Sequence, residues 1–89
     1  MSVEDFIITR HAFERIKERG IPLELVNLTL EKGRKKPDEG VNQFIYEQVI
    51  HWRHKHYLIR IFVNEDVMPS RVKTLYITSQ IRKYYESEL

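Results

Sequence analysis

Phe44 to Val63 reads FIYEQVI (44–50), HWRHKH (51–56) and YLIRIFV (57–63): two runs rich in β-branched and aromatic residues around a basic, histidine-bearing link. Residues of this kind suit a pleated, half-buried surface, so both runs are expected as strands. Val72 to Thr78 has the same character, and Asn64-Glu65-Asp66 and Met68-Pro69-Ser70 mark the connection that precedes it. Sequential strands with short links usually pair antiparallel, which gives a three-stranded antiparallel unit in this half of the chain.

Towards the N-terminus the period changes. Phe6-Ile7-Ile8 suits a short strand, and Thr9 is placed to cap a helix from Arg10 to Arg19, with Gly20 as its stop. Ile21-Pro22 is a hydrophobic lead-in with proline at the first helical position, and Leu23 to Lys32 makes a second helix closed by Gly33. Arg34 to Gly40 carries Pro and Gly and no apolar period, so it is expected as the longest loop. Ser79 is placed to cap a short final helix, Gln80 to Ser87. The fold class is therefore α+β: two N-terminal helices packed on a three- to four-stranded antiparallel sheet, with a short C-terminal helix.

With 89 residues the chain has room for a single domain, 1–89. The absence of cysteine excludes a disulfide scaffold, thiolate metal sites and a cysteine nucleophile. Apolar runs fall short of the roughly 18 residues that span a bilayer, and the start MSVEDFIITRH lacks the pattern of a secretory signal, so a cytoplasmic location without membrane contact is expected. The net charge is only +2, but residues 51–60 hold three Lys or Arg, three of the four histidines and no acid. The positive charge is local.

Three constellations have residue types suited to phosphate chemistry. His11, Arg15 and Arg19 recur at i, i+4, i+8 along the edge of an apolar arc formed by Ala12, Phe13 and Ile16. A histidine there moves a proton while guanidinium groups hold a phosphate and its developing charge. A plainer alternative pairs the arginines with Glu14 and Glu18. In an extended segment Trp52, His54 and His56 project to one face and Arg53 and Lys55 to the other. Cations interleaved with Trp52 and Tyr57 fit single-stranded RNA, and a solvated hairpin tip is the alternative. No acid in the segment completes a ligand set, so no metal is expected. Finally, Thr78 and Ser79 set two hydroxyls where a strand enters a helix bearing Arg82, Lys83 and Tyr84, which suits an anion, or else simple capping by Ser79.

On these residues the chain resembles the domain of unknown function numbered 4258. The match lies in Thr9-Arg10-His11-Ala12, Arg15, Arg19-Gly20-Ile21 and a closing strand that runs into Thr78-Ser79-Gln80-Ile81-Arg82-Lys83-Tyr84. That family is similar to the RelE/ParE-like toxin superfamily, whose two N-terminal helices pack on an antiparallel sheet. The resemblance implies a toxin-type, metal-independent ribonuclease of the mRNA interferase kind. In that scheme a ribose 2′-hydroxyl attacks the adjacent phosphate, and neither metal nor cofactor is called for. His11 is then the general acid or base, Arg15 and Arg19 stabilise the phosphate, and Thr78 and Ser79 orient it. Trp52, Arg53, His54, Lys55, His56, Arg60, Arg82, Lys83 and Tyr84 form the RNA-binding surface. The alternatives are a non-catalytic RNA- or ribosome-binding module, and a protein-interaction domain that pairs with an acidic antitoxin or with a second copy of itself. The nuclease scheme requires the two ends of the chain to meet around one phosphate.

Overall fold

A computed structural model describes residues 6–85. The elements are β1 (Phe6–Ile8), α1 (Arg10–Arg19), α2 (Leu23–Lys32), β2 (Arg34–Pro37), β3 (Gln43–Trp52), β4 (Lys55–Asn64), β5 (Ser70–Thr78) and α3 (Ile81–Tyr84). Thr9 caps α1 as expected: its hydroxyl accepts the Ala12 N–H at 3.3 Å and donates to the Val72 carbonyl at 2.8 Å. The same side chain therefore starts the helix and fastens it to β5. Gly20 ends α1 in the left-handed region, at φ 63°. Pro22 stands at the N-cap of α2, one residue before the helical position expected for it. Gly33 closes α2 for a steric reason, since a Cβ there would lie 2.5 Å from the Thr29 carbonyl oxygen and 2.9 Å from that of Glu47.

The sheet runs β1-β5-β4-β3-β2. Its β3-β4-β5 part is antiparallel, as the alternating strands predict, and β3 and β4 pair without a break from Gln43–Asn64 to Trp52–Lys55. Two features correct the expected three- to four-stranded antiparallel sheet. β1 pairs parallel with β5, so the sheet is mixed. In addition, four of the seven residues of the expected loop form β2, antiparallel to β3, which makes five strands. Arg34-Lys35-Lys36-Pro37 has no apolar alternation. Charge holds it instead: Arg34 and Lys36 both reach Glu47, and Lys35 reaches Glu65. An edge strand tolerates such residues, including a proline that cannot donate to a ladder.

α1 and α2 cover one face of the sheet. There Ala12, Ile16, Val26 and Leu30 pack with Tyr46, Ile50, Ile59, Ile61, Val63, Val72 and Leu75. Strand alternation turns the other residues to the opposite, outer face: Ile45, Glu47, Val49 and His51 of β3, His56, Leu58, Arg60 and Phe62 of β4, and Thr74, Tyr76 and Thr78 of β5. An irregularity at Phe62/Val63 leaves Lys73 without a strand partner where Thr9 bonds to β5. α3 is shorter than expected and begins at Gln80, which makes no side-chain cap, so Ser79 does not cap it. Residues 86 and 87 of the expected helix lie outside the described residues. Among the described residues no helix is long and apolar enough to cross a membrane.

Two predictions test this architecture. Gly33→Ala forces a methyl group into backbone contact distance on two sides, and urea unfolding should show a loss of about 1–3 kcal/mol. The second concerns Tyr46, which is buried and donates its hydroxyl to Glu65. Burial first, then the hydrogen bond and charge of Glu65, push its pKa well above the ordinary phenol value. The unfolded chain then ionises Tyr46 at a pH where the folded chain does not. Stability from this group is complete below about pH 10 and falls above it, by up to about 1.4 kcal/mol per pH unit. Denaturant unfolding between pH 9 and 11 should show a shallower decline in Tyr46→Phe than in the parent.

Candidate nucleic-acid interface

A charged residue within a strand interior needs a partner once the strand is buried. β3 holds Glu47 between Tyr46 and Gln48, and β4 holds Arg60 between Ile59 and Ile61. The register sets these two directly opposite each other on the outer face. The Arg60 Nε donates to Glu47 Oε2 at 2.9 Å, and Arg34 Nη2 from β2 donates to Oε1 at 2.6 Å. Lys36 Nζ lies 3.5 Å from the same Oε1. One fully buried carboxylate thus sits among three cations, and the group keeps an excess of positive charge. Arg60 Nη1 also donates to the Tyr76 hydroxyl at 2.8 Å. Burial works against the charge of Arg60, but its bonds to Tyr76 and Glu47 outweigh this and hold the guanidinium above its ordinary pKa.

Aromatic rings enclose the cluster. The Arg60 guanidinium carbon lies 4.8 Å from the ring centre of Tyr84, and that of Arg34 lies 4.1 Å from Tyr85. Tyr76 stacks with Phe62 at 5.9 Å and meets Tyr84 edge to face at 6.1 Å. α3 thereby lays its C-terminal tyrosines over the cations of the sheet. An open depression of about 690 Å³, lined by Ser79, Gln80, Ile81, Arg82 and Lys83, runs beside it.

The structure brings together only some of the sequence-derived candidates. Arg60 and Tyr84 meet, with Arg82 and Lys83 on the adjoining helix. His11, Arg15 and Arg19 do not join them. α1 starts where Thr9 bonds to Val72 and ends where Gly20 lies against the Arg53 guanidinium, 3.0 Å from the position of a Cβ. Thr78 lies six residues beyond Val72, about 20 Å along the same strand and on the opposite face. The N-terminal imidazole and the C-terminal hydroxyls therefore do not build one phosphate pocket, which corrects the expected convergence of His11 with Thr78 and Ser79. His11 is exposed, Arg15 bonds to Glu18 at 3.2 Å as the plainer alternative had it, and the Thr78 hydroxyl accepts the Gln80 N–H.

The HWRHKH segment takes the hairpin-tip form of its plainer alternative. Arg53 and His54 form a two-residue turn with φ of 52° and 65°, so the segment does not alternate as one extended strand. Trp52 packs against the core on the α1–α2 side, with Arg53 and Lys55 over the rings of Trp52 and Tyr57. His56 lies on the outer face beside His51, not beside His54. Glu47, Arg34, Lys36, Tyr76 and Tyr85 were missed as site residues. A signal for the first existed: with a two-residue turn at 53–54, the strand register sets Glu47 opposite Arg60. Comparison with family models, curated proteins and solved structures finds no match to the chain.

Removing one partner from this cluster leaves a buried charge unmet, whereas replacing both is far less harmful. Glu47→Ala should cost about 3–5 kcal/mol in urea unfolding. The double substitution Glu47→Leu with Arg60→Leu should lose less than that single change.

Proposed function

We propose that this protein acts on single-stranded RNA and binds it at the outer face of its sheet and along α3. One observation carries the reading: guanidinium groups and tyrosine rings interleave there around a single carboxylate, with positive charge in excess. Single strands are held by this combination, because every base offers a face for stacking and every phosphate a charge. Arg82 and Lys83 extend the charge to the rim of the open depression. The local cationic patch outweighs the small net charge of +2.

Metal-independent cleavage on the same face is a second reading, favoured by the hydrogen-bonded chain Glu47–Arg60–Tyr76 and consistent with the resemblance to toxin-type ribonucleases. A 2′-hydroxyl would give its proton to Glu47 and attack phosphorus, the P–O5′ bond would break to leave a 2′,3′-cyclic phosphate, and water would protonate the departing 5′-oxygen, while Arg60 and Arg34 face the charge that develops on the phosphoryl oxygens. Glu47 is fully buried, so this chemistry requires α3 to lift from the sheet. His11 has no part in it.

Fluorescence anisotropy with a short labelled single-stranded RNA tests both. Binding should weaken steeply with salt, and Arg82→Ala with Lys83→Ala should weaken it about tenfold and reduce the salt slope by about 1.4. No binding at low salt would overturn the proposal. In excess chelator, cleavage that is lost in Glu47→Gln with binding retained supports the second reading. Intact RNA, or cleavage untouched by Glu47→Gln, removes it.

A further inference from the structure

At the hairpin end of the outer face, away from the Glu47 cluster, His51 and His56 stand directly opposite each other across β3 and β4. Both are exposed. Their ring centres lie 5.0 Å apart with the planes tilted by 51°. A two-residue turn closes its hairpin with a hydrogen-bonded pair, here Trp52–Lys55, so the next pair out is the non-hydrogen-bonded kind in which side chains approach most closely. With a metal–nitrogen bond of about 2.1 Å and the nitrogen about 1.1 Å from the ring centre, a tetrahedral angle at the metal sets two ligating rings about 5.2 Å apart. The observed spacing matches that distance.

The two cations of the hairpin end are turned away. Arg53 lies over the Trp52 ring at 4.2 Å and Lys55 over the Tyr57 ring at 5.7 Å, both on the face packed by α1 and α2. On the outer face the strand neighbours of the pair are Val49 and Leu58. An incoming cation therefore meets two imidazoles on an apolar floor. Among the described residues no third His, Cys, Asp or Glu completes a cluster. We propose that His51 and His56 bind a divalent transition-metal ion of the zinc, nickel and copper class, bridging β3 and β4, with solvent in the remaining coordination positions.

The experiment uses the full chain purified without a polyhistidine tag. Cu(II) is the tightest binder of this class, and Trp52, the only tryptophan, adjoins the site and reports by fluorescence quenching. Saturable quenching at one equivalent is expected, with binding weakened at least tenfold by His51→Ala and by His56→Ala and less than twofold by His54→Ala or His11→Ala. Protons compete for imidazole nitrogen, so acidification should release the ion. Zn(II) should shift the imidazole resonances of His51 and His56 together in the unmodified protein, a readout that needs no variant. Absence of saturable quenching, equal weakening by His54→Ala, or Zn(II) shifts that miss either histidine of the pair would overturn the site.

Discussion

Burying a carboxylate in a small domain is destabilising by several kcal/mol unless cations and donors meet it, and the outer face of this sheet is arranged around that requirement at Glu47. The side chain has no contact with solvent, and each of its oxygens has a guanidinium partner. Those partners come from different strands: Arg34 from β2 and Arg60 from β4. Through Arg60 the network passes to Tyr76 of β5, and through the tyrosine rings to α3. Four strands and the last helix thus answer to one acid. The apolar core beneath α1 and α2 supplies most of the folding energy, but it is indifferent to what lies on the other side of the sheet. Glu47 is not.

The same constraint explains which parts of the fold were legible. The limits of α1 were, because Thr9 and Gly20 act through local rules that need only their neighbours in sequence. The three long strands were legible because β-branched and aromatic residues dominate them. β2 was not, since its strand character resides in the charges it presents to Glu47 and Glu65, 13 and 30 residues away. Nor does the triplet Phe6-Ile7-Ile8 tell whether its partner is parallel. That depends on where the chain returns after α1 and α2, which periodicity does not encode.

Legibility of the site divides in a similar way. A stripe such as His11, Arg15 and Arg19 describes one helix surface faithfully and says nothing of where that helix lies. α1 is fastened at Val72 and runs to the hairpin tip, so its two ends face different neighbours. Arg60 was legible as an oddity, a cation in the apolar run YLIRIFV, and Glu47 is the matching oddity in FIYEQVI. The pair becomes visible once the turn length is known, because turn length fixes the pairing of every residue behind it.

That dependence gives the Arg53–His54 turn its importance. Neither residue is glycine, and a left-handed backbone costs an ordinary residue about 1–2 kcal/mol. A longer loop would relieve the strain but free the register. A slip of one residue in β3 would carry Glu47 to the face where Tyr46 and Ile50 now pack beneath α1 and α2, away from Arg34 and Arg60, and would expose those apolar side chains. Such a state is worse by more than the turn costs. Contacts also help to hold the turn: Arg53 lies over Trp52, and the missing Cβ of Gly20 leaves room for its guanidinium. Gly20 therefore serves two ends at once, ending α1 and admitting the side chain of a turn whose tightness decides that Glu47 meets Arg60.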